Sequence, residues 1–313
     1  MRKRLLLILA GCWCLPALAA PIGIYWTDSG DGTLNRAGLD GTSTETLVSG
    51  LTNPNGGMFV SDSSIYWTDI DDQAVWRAND DGRDASKLVN TSGAPRDVWL
   101  ADGSVFLVST APLDSISVAN SDGSGASALI TTGLSFPNGI AIYDNRVYWS
   151  DSGTRSISTS ALDGSDVVEV IGGLPTTLLP GDVFVTNDYL YWTTRDLALT
   201  RAGSAVAGTV QRARRDGSEV ATLVDGLVFP EQLVVAGGFL YWTDIFAGTI
   251  QRADLDGSGV TTLISGLSRP VGLAVVTSVP EPGSLALLCA GLAGLGFARQ
   301  RRTRTQLGFR WHG

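Results

Sequence analysis

Between its two apolar ends this 313-residue sequence contains no cysteine and no histidine. The three cysteines, Cys12, Cys14 and Cys289, lie in the terminal apolar segments, and the one histidine, His312, stands next to the last residue. A disulfide framework and a cysteine-rich zinc site are therefore excluded from the middle of the chain. Any catalytic scheme that needs imidazole has no candidate there either. Positive charge is scarce. Of 22 Lys and Arg, three are Arg2, Lys3 and Arg4, and five are Arg299, Arg301, Arg302, Arg304 and Arg310. Fourteen remain between them, against all 31 acidic residues. Such an acidic surface repels phosphate backbones and anionic headgroups, so nucleic acid is not an expected partner. Long helical periodicity is missing from the middle as well. Glycine, by contrast, is abundant at 38 residues, while charged residues make up only 17%. With recurrent Val, Thr, Tyr and Trp, that composition suits many short strands joined by tight turns.

The ends carry addresses. Residues 1–20 run from a basic start through an apolar core to Ala17-Leu18-Ala19, the order of a secretory signal peptide. Leu9-Ala10-Gly11-Cys12 also resembles a bacterial lipobox, which would leave Cys12 lipidated. Ordinary cleavage uses the full apolar segment and is the preferred expectation. At the other end Pro280-Glu281-Pro282 precedes an apolar run over 283–298, then Arg299, Arg301 and Arg302. As a helix the run spans about 24 Å, short of the ~30 Å hydrocarbon core, a gap that snorkelling arginines or local thinning can cover. The arginines should stay cytoplasmic and the rest outside. A plain single-pass anchor accounts for these features. Their order over 279–302 also resembles the PEP-CTERM sorting signal of Gram-negative bacteria. That resemblance implies an exosortase-type processing partner that removes the helix, a link to exopolysaccharide, and an envelope protein anchored in the inner membrane before any transfer to the surface. The cytoplasmic tail, 303–313, is longer than the resemblance leads one to expect.

The middle, 21–278, is built from six repeats. An aromatic strand recurs as Tyr25-Trp26-Thr27-Asp28, Tyr66-Trp67-Thr68-Asp69, Tyr148-Trp149-Ser150-Asp151, Tyr191-Trp192-Thr193-Thr194 and Tyr241-Trp242-Thr243-Asp244, with Phe106-Leu107-Val108-Ser109 as a degenerate copy. Asp-Gly turns follow at Asp40, Asp81, Asp122, Asp163, Asp216 and Asp256, in steps of 41, 41, 41, 53 and 40 residues. Asp-Gly suits a tight hairpin because positive φ costs these residues little. Pro54, Pro95, Pro137, Pro180, Pro230 and Pro270 each open an apolar strand, where a missing N–H is tolerated. Four short strands per repeat predict an all-β, six-bladed propeller. Its C-terminal strand should complete the blade that the N-terminal strands begin, if the proline-led strand is innermost. The motifs resemble low-density lipoprotein receptor class B (YWTD) repeats over about residues 22–277.

Within that frame Tyr and Trp are expected to fill the gaps between blades. Asp28 is expected to pair with Arg36, Asp69 with Arg77 and Asp244 with Arg252, across a hairpin eight residues long. An insertion at 195–207 carries Arg195, Asp196 and Arg201, which could meet a partner or simply be solvated. Asn55, Arg96, Asp97, Asn138, Asp182, Glu231 and Gln232 follow the prolines and should converge on the mouth of the channel. Several oxygen ligands there could hold Ca²⁺, as in the calcium-dependent lactonase-type propellers that this ring resembles, or merely hold water. The expected function is a surface-anchored, non-catalytic module that binds a protein or glycan through one face. The alternative is a calcium-dependent hydrolase or lactonase-like enzyme using Asp97, Asp182 or Glu231.

Overall fold

Each Tyr-Trp pair alternates its side chains across a strand, so both faces of that strand must be covered. The computed structural model, which describes residues 22–61, 63–196 and 208–277, shows how this is met. The leader, the sorting segment with its apolar run, the tail and most of the insertion lie outside the described residues. Among the described residues there are 24 strands in six four-stranded antiparallel sheets, and no helix long and apolar enough to cross a membrane. The first strands of the sheets are Pro270–Val276, Met58–Ser61, Ala94–Ala101, Pro137–Tyr143, Leu178–Val185 and Pro230–Ala236, numbered here as blades 1 to 6. Each touches the first strand of the next sheet all the way round, so these six strands line the axis. Blade 1 sets Pro270–Val276 beside Gly23–Asp28, with Tyr25 opposite Ala274 and Trp26 opposite Leu273. The last strand thereby closes the ring and leaves no inner edge unpaired.

Tyr and Trp divide the work between neighbours. Tyr25 of blade 1 packs with Trp67 of blade 2, Tyr148 with Trp192, Tyr191 with Trp242, and Tyr241 with Trp26, each pair in the core of one inter-blade gap. Leu107 takes the Trp position opposite Tyr66, and Phe106 the Tyr position opposite Trp149. Every gap is therefore filled by two large side chains from adjacent repeats, which fixes blade against blade.

The Asp-Gly turns add a second inter-blade contact. All six glycines have φ between 78° and 86°. Each lies so close to the outer strand of the preceding blade that an added Cβ would come within 2.1–2.7 Å of a carbonyl oxygen there. The aspartate before it accepts a hydrogen bond from the N–H two residues on, as Asp163 does from Ser165 at 2.9 Å. These are Asx turns.

The expected aspartate–arginine pairs do not form. A four-residue loop joins the two strands, so Asp28 stands opposite Thr33 while Arg36 stands opposite Tyr25. Arg36 instead pairs with Glu45. Arg77 donates to Ser64 Oγ, and Arg252 lies over the Phe239 ring at 4.6 Å. The aspartates turn the other way. Asp28 accepts from the N–H groups of Gly30, Ser268 and Arg269. Asp69 accepts from Thr52, Asn53 and Asp72, and Asp244 from Val228, Phe229 and Ala247. Each carboxylate thus ties its own hairpin loop to the connector that enters its blade.

Candidate functional site

The hydroxyl at the third position of the Tyr-Trp-Thr-Asp strand sets up the axis in three of the blades. Just after its proline the inner strand bulges, as the register shift between Pro230 and Leu233 shows. Thr243 Oγ1 accepts from the bulge N–H of Gln232 at 3.2 Å and donates to Val271 O of the next blade at 2.8 Å. Thr193 does the same with Asp182 and Glu231, and Ser150 with Gly139 and Gly181. Sequence reasoning passed over these hydroxyls, although a Thr or Ser at one fixed motif position was a usable signal.

The bulges aim one residue per blade at the axis, two places after the proline: Asp97, Asp182 and Gln232 in three blades, Gly56, Gly139 and Gly272 in the others. The glycines that precede Asp97 and Asp182 round the ring are a steric requirement. A Cβ on the neighbouring Gly57 would lie 1.7 Å from Asp97 Oδ1, and one on Gly139 would lie 2.5 Å from Asp182 Oδ1. Blade 2 departs from the expected pattern here, because its inner strand starts at Met58 rather than beside Pro54, after the Gly56-Gly57 pair that admits Asp97.

The polar side chains are spent on backbone. Asp97 accepts from Val98 N and, across the gap, from Ile140 N of blade 4, both at 2.8 Å. Asp182 likewise accepts from Val183 N and from Leu233 N of blade 6. Gln232 Oε1 accepts from Leu273 N and Met58 N, and its Nε2 donates toward Met58 O and Asp97 Oδ1. Burial pushes the Asp97 carboxyl up to about 7 and raises that of Asp182 well above the carboxylate range, where the Asp97 charge adds to the effect. Two buried carboxyls this close favour holding a proton between them.

Asn55, Asp97, Asn138, Asp182 and Glu231 line one space at the channel mouth together with Arg96 and Gln232. Its open volume is about 20 Å³, room for little more than a water molecule. The carboxylates do not converge as a calcium shell. Glu231 is held by Arg195 Nη1 at 2.8 Å, and among the described residues no group of three Asp, Glu, His or Cys is placed to hold a metal ion.

Beside the mouth, on the same face, a larger cleft of about 320 Å³ opens between Arg96, Arg195, Phe136 and Phe229. Asn138 and Ser152 form its floor, both donating to Pro180 O of blade 5. Phe136 is 59% exposed and sits at φ 57°, with its N–H donated to Asp114 Oδ2 at 2.8 Å. Phe229 packs against Phe246 with ring centroids 4.9 Å apart. The Arg195 guanidinium lies 5.3 Å over Phe229.

The sequence matches two family descriptions. Low-density lipoprotein receptor repeat class B matches residues 145–171 and 238–275, and the PEP-CTERM protein-sorting motif matches 278–302. Among curated relatives, a low-density lipoprotein receptor-related protein 1 from Pyricularia oryzae is 37% identical over 90 residues, 26% of this chain and 27% of that protein. The match therefore spans about a quarter of that relative's length. Among solved structures, a chain from the crystal structure of a nidogen/laminin complex superimposes with a TM-score of 0.70 at 21% identity, covering 83% of this chain and 100% of that one. At that identity the likeness is one of fold. The chain is a six-bladed β-propeller carrying low-density lipoprotein receptor class B repeats, followed by a PEP-CTERM sorting motif.

Proposed function

We propose that this protein is an exported, envelope-anchored binding module that does no chemistry and recognises a partner through the face at which the inner strands begin. The observation that carries the reading is the 320 Å³ cleft on that face, open and edged by exposed phenylalanine, beside an axis whose carboxylates are already occupied by backbone N–H groups. A contiguous exposed apolar patch rimmed by polar residues marks an interaction site, and Phe246 packs on Phe229, which lines the cleft with Phe136. Leu113 is 75% exposed, Phe246 57% and Phe136 59%, and all three lie on loops of this face. The nidogen/laminin structure, in which the similar chain was crystallised as part of a complex, favours a protein as the partner. The sorting motif favours processing by an exosortase-type enzyme and delivery to the cell envelope. The hydrolase alternative is disfavoured, because it would have to strip Asp97 and Asp182 of their N–H donors and Glu231 of Arg195.

The experiment compares the full chain with two double variants in binding to protein and polysaccharide fractions of the envelope. Phe136→Ser with Phe246→Ser should lower binding about tenfold or more, as loss of two interface aromatics does. Val167→Ser with Val168→Ser, on the outer rim, should leave binding unchanged. Equal binding by all three proteins would reject the face as the site.

A further inference from the structure

On the face at which the inner strands end, a cleft of about 460 Å³ opens between blades 2 and 3. Two tight turns form its lips. One joins Ser61 to Ser64 in blade 2 and the other joins Ala101 to Ser104 in blade 3, each turn closing a pair of opposed strand residues. Asp62, in the first turn, lies outside the described residues and is not counted in the site.

The register of the repeats explains why this gap is open. Ser64 and Ser104 begin the second strands of their blades, where blades 4, 5 and 6 place Arg146, Tyr189 and Phe239. Ser121 precedes its Asp-Gly turn where those blades place Leu162, Arg215 and Leu255. Small hydroxyl side chains thus replace bulky ones on both walls. The arginine that bridges other gaps is also turned aside. Arg36 of blade 1 donates through Nη1 to Asp80 O of blade 2 at 3.5 Å, and Arg212 of blade 5 to Leu255 O of blade 6 at 3.3 Å. Arg77 stands opposite Tyr66 as those arginines stand opposite Tyr25 and Tyr191, and the matching carbonyl is that of Ser121. It donates instead through Nε and Nη2 to Ser64 Oγ of its own blade, at 3.2 and 3.0 Å.

The walls suit a ligand of one kind. Ser61, Ser63, Ser64, Ser104 and Ser121 bring hydroxyls, each able to donate and to accept. Ser64 Oγ already accepts from Arg77, so its own O–H is left to donate. Arg77 lines one wall and Asp102 the other, and neither has an ion-pair partner among the described residues. Their opposite charges offset each other, which leaves no field of one sign to draw a strongly charged ligand. Leu100 and Ala101 add a short apolar stretch. A polar wall releases its water without loss only to a ligand that replaces the hydrogen bonds. A sugar ring does so with hydroxyls that donate and accept, and its C–H face meets the apolar stretch. The volume falls within the range of small-ligand sites.

We propose that the cleft between blades 2 and 3 binds a sugar unit of a neutral glycan, with the serine hydroxyls, Asp102 and Arg77 as its hydrogen-bonding groups. The site lies on the face opposite the one proposed for the protein partner and goes beyond that reading.

The test applies the full chain to an array of neutral and uronate-containing oligosaccharides, in a polyoxyethylene detergent whose headgroup carries no sugar. Three variants are run beside it: Ser104→Phe, which gives blade 3 the residue blade 6 has at that position, Arg77→Ala, and Phe136→Ser with Phe246→Ser. Wild type should retain a neutral glycan, and Ser104→Phe should lose it. Arg77→Ala should bind it about tenfold more weakly, as expected for a hydrogen bond to a charged group. The double phenylalanine variant should bind it as wild type does. If Ser104→Phe does not fold by its melting curve, Ser121→Leu, again a residue that blade 6 carries, fills the cleft from the same wall. Retention of no glycan, or retention that survives the filling variant and Arg77→Ala, would overturn the proposal. Retention of uronate glycans alone would overturn the neutral ligand. Loss in the double phenylalanine variant only would place the glycan on the opposite face and overturn the site, while supporting that face as the binding surface.

Discussion

In Tyr-Trp-Thr-Asp each residue has a different neighbour to serve. Tyr faces the next blade and Trp the previous one, the threonine hydroxyl links adjacent inner strands, and the aspartate gathers loop N–H groups. The aspartate's role leads to a direct test. Asp69→Ala takes the acceptor from the part-buried N–H groups of Thr52, Asn53 and Asp72, which should cost about 2–3 kcal/mol. Arg77→Ala removes only a contact to Ser64 Oγ and to the Tyr66 ring, and should cost about 1 kcal/mol or less. Urea unfolding of the two single variants and the double variant should give a coupling energy near zero. A large coupling would restore the aspartate–arginine pair that the hairpin register rules out.

At the scale of the element, the Asp-Gly turn is both a hairpin and a spacer between blades. Gly257 and Gly226 separate the two roles. Gly257 has φ 86°, and a Cβ there would lie 2.2 Å from Leu223 O, whereas Gly226 has φ 72° and open space around it. Gly226→Ala should cost about 1–2 kcal/mol, the strain of the left-handed conformation alone. Gly257→Ala should cost more, since the outer strand of blade 5 must move as well. Thermal unfolding of both variants would show this order, and equal costs would mean the turn makes no rigid inter-blade contact.

For the whole ring, pH acts through two sets of aspartates with opposite signs. Asp97 is raised from 3.8 to about 7, so the folded state holds protons that the unfolded state has released between those values. Stability from this source is greatest below pH 4 and falls as pH rises towards 7, with Asp182 acting in the same direction. The turn aspartates Asp40, Asp122, Asp163, Asp216 and Asp256 are shifted below 3.8 by hydrogen bonds from the residue two places on. Their contribution is present above pH 4 and lost as pH falls below it. Calorimetry from pH 3 to 8.5 should therefore show a maximum melting temperature near pH 4–5 and a decline of several degrees by pH 8. A flat profile from pH 5 to 8 would mean that Asp97 and Asp182 ionise freely in the folded ring.

The repeat count, the phase of the strands, the aromatic filling of the gaps and the sorting motif could all be read from the sequence by itself. Each is a local, periodic pattern, and six near-copies of one pattern leave a closed ring as the way to cover both faces of every blade. Convergence of the residues after the prolines on the axis followed from the same phase. The partners of those residues did not. Asp28 meets Ser268 and Arg269, some 240 positions away, because the ring closes there, and a four-residue loop rather than an eight-residue count sets which side chains stand opposite. Glycine in the preceding blade, Gly57 beside Asp97 and Gly139 beside Asp182, leaves these carboxylates room to reach across to backbone N–H groups instead of gathering around an ion. Arg96, Phe136, Arg195 and Phe229 come from four different blades or their connectors, so only the curvature of the assembled ring brings them to one cleft.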